Sequence, residues 1–283
     1  MASEPRPELQ TALRAAGVRI EFPSMARLWD YAGGGKDNFQ ADRDLYAEIA
    51  EVTALFPDLV VTNSRFVRGA ATFLAAELGI TQYIDLGVGM PTPRNLHNIV
   101  QPLSSRTKVV YVDQDPIVLA HARGLLGRSD GVLVVAGNVF DPVELLEQPE
   151  LATFLDWDQP IAVFCTAVLH YHPGSASDVA ATMQTYVDAL PAGSCTVITH
   201  FLEPDKAEER GTVRQIEKVL TASPIAAGWV RTQDDIETMF PGQTLLQAGV
   251  HPCHEWWPGL EPKLAHTWIQ DCIVGGIGQK SPA

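Results

Sequence analysis

Paired cysteines, a long apolar run and a block of basic residues are all missing from this chain of 283 residues. Each absence removes a class of function. Cys165, Cys195, Cys253 and Cys272 lie far apart without paired spacing in a chain too long to need covalent staples, so they are expected to be reduced thiols of a cytoplasmic protein. Met1 to Ile20 contains no apolar core of the signal-peptide kind, and the stretch Ile161 to Leu169 is far too short to span a bilayer, so neither export nor membrane anchoring is expected. With 34 acidic against 20 basic residues and a formal net charge of −14, no Lys/Arg cluster interleaved with aromatics can neutralise a phosphate backbone, and nucleic acid is not expected as a partner. There is no internal repeat and no low-complexity segment.

What is present is the composition of an ordinary globular protein, 46% hydrophobic and 19% charged, long enough for one large domain or a catalytic domain carrying an extension. Residues 1–80 read as a helical extension. A helix is expected from near Asp42, with Leu45, Ile49 and Val52 at helical spacing until Pro57 stops it; Asn63 is expected to cap a second helix that presents Phe66, Ala70, Phe73 and Leu74, and Gly79 to end it. From Thr81 onward short apolar strands alternate with amphipathic helices, the pattern of a parallel α/β sheet covered on both faces. The expected strands are Gln82 to Leu86, Lys108 to Val112, Gly131 to Ala136, Pro160 to Phe164 and Ser194 to His200, followed by one near Thr244 to Val250 and a last one within Thr267 to Val274. Thr92-Pro93 and Asp115-Pro116 each supply a helix cap followed by proline.

Polar residues stand where successive strands end, the place at which open α/β sheets bind ligands. Asp85-Leu-Gly87-Val-Gly89 closes strand 1, where the glycines let a ligand approach the backbone and Asp85 can meet a cationic amino group. A dinucleotide fingerprint needs a third glycine where this chain has Thr92, so the pyrophosphate cradle is incomplete. Asp113 ends strand 2 and can accept hydrogen bonds from two ribose hydroxyls; Gln114 can flank an adenine, while Asp115 reads as a helix cap because Pro116 follows. At the end of strand 3, the Asn138 amide and the Val139 backbone N–H can read an adenine edge, with a turn that bonds its own loop as the alternative for Asn138.

These motifs, taken in order, resemble a known family. Tyr31-Ala-Gly33-Gly34-Gly35-Lys36-Asp37-Asn38-Phe39 with Asp42-Arg43, then Gln82 to Thr92, His97, Val112 to Pro116, Ala167 to His170, and Gly193-Ser194 with His200 are similar to the S-adenosyl methyltransferase family once catalogued as a domain of unknown function. Asn63-Ser-Arg65 stands where that family is expected to show Asn-Arg, and Asn138 where many of its members carry Asp. The resemblance implies a Rossmann-like class I methyltransferase of seven mostly parallel strands over residues 81–283, a helical lid over 1–80, and S-adenosylmethionine as cofactor with S-adenosylhomocysteine as product. It also implies that Arg65 and Asn38 meet the methionine carboxylate or close the lid, and that the segment from Thr166 lines the transferred methyl. It implies no acceptor, for which a small molecule is the expectation, and nothing about oligomeric state.

Three further features bear on the chemistry. The Gly33 to Asn38 loop is no phosphate loop, since Asp follows its lysine and no strand precedes it, but it can fold over a cofactor. His170 is the candidate general base, although methyl transfer chiefly needs in-line positioning. His251-Pro-Cys253-His254-Glu255 lacks a second ligand pair at matching spacing, so no metal is expected. Two rival functions remain at this stage: a nicotinamide-dependent oxidoreductase on the related dinucleotide fold, and a non-catalytic sensor of the same cofactor.

Overall fold

The computed structural model describes residues 17–246, 249–257 and 266–281. Three helices come first: α1 (Met25–Ala32), α2 (Gln40–Val52) and α3 (Phe56–Ala76). Pro57 does not stop a helix but opens α3, where its missing N–H has no intrahelical partner to lose. Asn63 therefore caps nothing; it lies buried in the middle of α3. Gly79, at φ +66°, turns the chain out of the helix, and the Ile80 N–H closes back on the Leu74 carbonyl at 3.0 Å.

The α/β part follows as β1 (Gln82–Leu86), α4 (Leu96–Val100), β2 (Lys108–Asp113), α5 (Pro116–Leu125), β3 (Val132–Ala136), α6 (Pro142–Leu146), α7 (Pro149–Phe154) and β4 (Ala162–Thr166). A 3-10 turn at Leu169–Tyr171 leads to α8 (Ala176–Ala189), β5 (Cys195–Phe201), α9 (Ala207–Ala222), α10 (Gln233–Glu237), β6 (Gln243–Leu245), β7 (His251–Pro252) and β8 (Ile273–Lys280). Thr92-Pro93 does not start α4: the Thr92 N–H donates to Asn95 Oδ1 at 2.8 Å, forming a turn from which the helix begins at Leu96.

The sheet order is β3-β2-β1-β4-β5-β8-β6. Five strands run parallel, while β8 is antiparallel to both β5 and β6. The chain thus winds outward from β1 in one direction and from β4 in the other, which leaves a crevice at their carboxyl ends. Seven strands were expected; an eighth, the two-residue β7, pairs with Val274 and Gly275 on β8. The last strand also lies later than expected, because Trp268–Cys272 forms a 3-10 turn and β8 contains Gly275, Gly276 and Gly278, residues that hide a strand from propensity. Packing accounts for Gly275: a Cβ there would stand 2.6 Å from Phe66 Cζ of α3.

Both sheet faces are buried, so adjacent strand residues serve different cores. Tyr83, Val109, Tyr111, Phe164 and Val197 pack with Leu28, Ile49, Phe56, Phe66 and Leu74 of the first three helices. Ile84, Leu86, Val110, Val112 and Val163 join Val179, Met183 and Tyr186 of α8 on the other side. The leading helices are consequently part of one sheet face's core. No helix among the described residues is long and apolar enough to cross a membrane.

Candidate functional site

The turn after β1 is tied to β2, since the Gly87 and Val88 N–H groups both donate to the Val112 carbonyl, at 2.9 and 3.1 Å. Gly87 adopts φ +76°, and a Cβ there would meet Val168 Cγ2 at 2.6 Å, so both conformation and space require glycine. Gly89, at φ +65°, has no described atom within 4 Å of the corresponding position and leaves its side of the turn open. Its N–H donates to Asp113 Oδ2 at 3.1 Å.

Asp113 is the hub of this corner. Its Oδ1 accepts the N–H groups of Gln114 and Asp115, at 2.8 and 2.9 Å, and its carbonyl accepts the Gly137 N–H at 3.0 Å, joining the β1, β2 and β3 loops. Desolvation raises its carboxyl above the ordinary value, opposed by the N–H bonds of Asp115, Gly89 and Gln114. Asp85 is pushed up to about 7, first by desolvation and then by repulsion from Asp113. Two carboxyls therefore converge on the crevice, and one is poised near neutrality.

Around that pair the remaining residues take distinct places. Gln114 and Asn138 are exposed at the rim. Asn138 Oδ1 accepts the Phe140 N–H at 3.0 Å, so the alternative of a self-bonded turn is what forms. The Val139 side chain is buried, and its carbonyl accepts the Tyr186 hydroxyl at 2.8 Å. Asp115 caps α5 through the Ile117 N–H at 2.8 Å, as its Asp-Pro context indicates. It also receives the Ser24 hydroxyl at 2.9 Å and lies 3.7 Å from Arg27 Nη1. Arg27 is itself buried against Asp42 at 2.8 Å, which ties α1 and α2 to the corner.

The glycine loop is held from within. Asp30 Oδ2 accepts the Asp37 N–H at 2.9 Å and the Asn38 amide at 3.1 Å, while Arg43 Nη1 donates to Asn38 Oδ1 at 2.9 Å. The Gly33 N–H bonds the Trp29 carbonyl at 2.9 Å, closing the last turn of α1. Asn38 thus has its amide engaged within the loop. Arg65 sits partly buried on α3, two residues along from Asn63 and so on a different face of that helix.

At the end of β4, Thr166 is partly exposed and Ala167 takes φ +52°, a left-handed conformation held by its N–H bond to Thr199 Oγ1 at 2.8 Å. Thr199 in turn donates to Asn63 Oδ1 at 2.6 Å. Sequence reasoning missed this role for Asn63; a polar side chain amid the apolar positions of α3 was the available signal.

His170 is fully enclosed. Its ring stacks on Phe201 with centroids 4.2 Å apart, and the Trp29 ring lies nearly parallel to both, 6.2 Å from Phe201 and 6.4 Å from His170. Neither of its ring nitrogens has a hydrogen-bond partner among the described residues. Desolvation, then His200 and Arg231, hold it well below the usual imidazole range, so it is neutral at pH 7. His200 is pushed down to about 3, chiefly by desolvation.

Comparison with known proteins gives the family and the fold. The family model described as S-adenosyl methyltransferase matches residues 12–281. A crystal structure from Thermobifida fusca YX, carrying a provisional methyltransferase assignment, is 30% identical, with a TM-score of 0.86 over 99% of this chain and 100% of that one. A DUF574 family protein from Streptomyces avermitilis MA-4680 is likewise 30% identical, with a TM-score of 0.85 over 93% of this chain and 100% of its own. An O-methyltransferase family protein from Burkholderia thailandensis, 12% identical with a TM-score of 0.52 over 98% of this chain and 71% of that one, shares the fold. No curated protein matches the sequence.

Proposed function

Because the chain belongs to the S-adenosyl methyltransferase family, we propose that it transfers a methyl group from S-adenosylmethionine to a small-molecule acceptor at the carboxyl ends of β1, β2 and β4. The carrying observation is the pair Asp85 and Asp113, two carboxyls at the ends of adjacent strands, of which the first is pushed up to about 7 chiefly by desolvation and then by repulsion from the second. A ligand that brings positive charge relieves that repulsion, whereas a pyrophosphate adds to it. S-adenosylmethionine carries an ammonium and a sulfonium, so this corner suits it better than a nicotinamide dinucleotide.

In this reading Asp85 meets the ammonium, directly or through water, against the open backbone of Gly87 and Gly89. Beyond its three N–H donors, two on Oδ1 and one on Oδ2, Asp113 has about one acceptor site left, on Oδ2, so one ribose hydroxyl binds there and the second must displace an N–H donor. Gln114 and the Val139 N–H flank the adenine; Asn138, with its oxygen committed to the turn, offers only its amide nitrogen. Thr166 lines the methyl. The described helices before residue 80 cover a cofactor domain that begins at 81, and the glycine loop between the first two is the lid, with Gly33, Asn38 and Arg65 on the cofactor side; Asn38 must exchange an internal bond to make that contact.

When bound, the sulfonium supplies a methyl group activated for displacement, and the protein's task is to position the acceptor in line and keep water out. His170 suits the wall of that space better than the role of base. Its suppressed basicity weakens proton abstraction, and Trp29 and Phe201 stand over it. Thermal melting tests the function: S-adenosylhomocysteine should raise the midpoint and NAD leave it unchanged, as selective binding to the native state requires. The opposite pattern would replace this reading with the oxidoreductase.

A further inference from the structure

The fold assembles a cluster that has no counterpart in sequence spacing. His254 follows β7, while His266 precedes the 3-10 turn that leads into β8 and Asp271 lies within it, yet one ligand-type atom from each lies within 4.8 Å of the others. His266 Nε2 stands 2.9 Å from Asp271 Oδ1, and His254 Nε2 stands 3.6 Å from that same oxygen. Glu255 Oε1 is 3.8 Å from His254 Nε2 on its other side.

A zinc ion bound at about 2.0–2.2 Å to nitrogen and oxygen spaces its tetrahedral ligands about 3.3 Å apart. The separations of 2.9 and 3.6 Å from Asp271 straddle that value, while the third pair, His254 and His266, is held only to within 4.8 Å, so the two imidazoles draw together when the ion binds. The donors are also of the right kind, since two imidazoles and a carboxylate suit zinc in preference to the hard, all-oxygen cations. Among the described residues, the buried His254 Nδ1 has no hydrogen-bond partner, so no carbonyl or carboxylate fixes the ring's tautomer and Nε2 is left able to act as the ligand. The nearby Lys206, which also feels Asp271, is occupied by Glu209 at 2.9 Å and does not fill the cation's place.

We propose that His254, His266 and Asp271 form a binding site for a zinc-class divalent cation, with Glu255 or water completing the shell. The cation would clip the stretch after β7 to the turn before β8, adding a cross-link to the two-residue β7 ladder and to the bonds that the Cys253 N–H makes with the Ile273 carbonyl at 3.0 Å and Trp256 Nε1 makes with the Gly275 carbonyl at 2.8 Å. The site is separate from the Asp85 and Asp113 corner, and its occupation neither requires nor tests the cofactor reading.

The experiment uses the full chain with no affinity tag, stripped with a chelator and titrated with zinc chloride by calorimetry, with melting curves in parallel. The expected result is saturable binding of one zinc per chain, a raised melting midpoint, and affinity at least tenfold weaker in each of His266→Gln and Asp271→Asn. Both positions are half-exposed, so the variants should melt near the parent without zinc. Absence of saturable one-to-one binding, or equal affinity in parent and variants, would overturn the site. Cobalt supplies a second readout, because an intense visible absorption marks tetrahedral coordination and its absence at saturation would contradict the proposed geometry.

Discussion

The hydroxyl of Thr199 donates to Asn63 Oδ1 at 2.6 Å and accepts the Ala167 N–H at 2.8 Å. One threonine on β5 thereby links the long helix α3 to the backbone that leaves β4, across 136 residues of sequence. The shape of the crevice floor depends on a residue of the helical extension.

Removing either partner strands a buried polar group. Asn63→Ala and Thr199→Val should each lower stability by about 1–3 kcal/mol in urea unfolding. A double-mutant cycle should show coupling of at least ~0.5 kcal/mol, and strictly additive losses would mean that the bond carries no energy.

Ala167 and Gly87 make opposite predictions. The left-handed backbone at Ala167 costs roughly 1–2 kcal/mol for a residue with a Cβ, so Ala167→Gly should hold or raise the melting midpoint. Gly87→Ala adds the same conformational cost and a clash with Val168, and should lower it sharply. A stabilising Gly87→Ala would refute the packing argument.

Asp85 makes cofactor binding pH-dependent. With its folded-state value raised from 3.8 to about 7, the empty protein holds a proton that the unfolded chain releases. The stability this gives is present at low pH and is lost as pH rises toward about 7. Binding of S-adenosylhomocysteine needs the ionised form, so its affinity should climb with pH until about 7 and then level off. Calorimetry across that range checks this, and Asp85→Asn should bind weakly with a flat profile.

Asp113 and Asp115 should separate binding from folding. Asp113→Ala is expected to weaken S-adenosylhomocysteine binding by roughly 1.5–3 kcal/mol through lost hydrogen bonds to a charged acceptor. Asp115→Ala removes a helix cap and the Ser24 hydroxyl's partner, and should chiefly lower the melting midpoint. Unchanged affinity in a folded Asp113→Ala protein would refute the ribose assignment.

The parallel strands and the glycine turn were legible because each depends on a few neighbouring residues: an apolar run, a cap followed by proline, Gly87 and Gly89 after Asp85. The errors came where distant residues decide. Pro57 stops or starts a helix according to what precedes it, and Asn63 reads as a cap until Thr199 is found beside it. The final strand was expected too early in the chain because its glycines conform to Phe66 and Phe240 rather than to strand propensity. His254 could be read only with its neighbours His251, Cys253 and Glu255, and its approach to His266 and Asp271 exists only in the fold.

Gly275 and Phe66 also bear on how this family can change. The ring of Phe66 fills the volume in which a side chain at 275 would lie, so α3 and β8 share one residue's allotment of space between two positions. Neither can drift alone: a methyl group gained on the strand must be matched by a smaller residue on the helix. Relatives with alanine or serine at the position of Gly275 should therefore carry leucine, valine or a smaller residue at that of Phe66, leaving a record of the contact in paired substitutions.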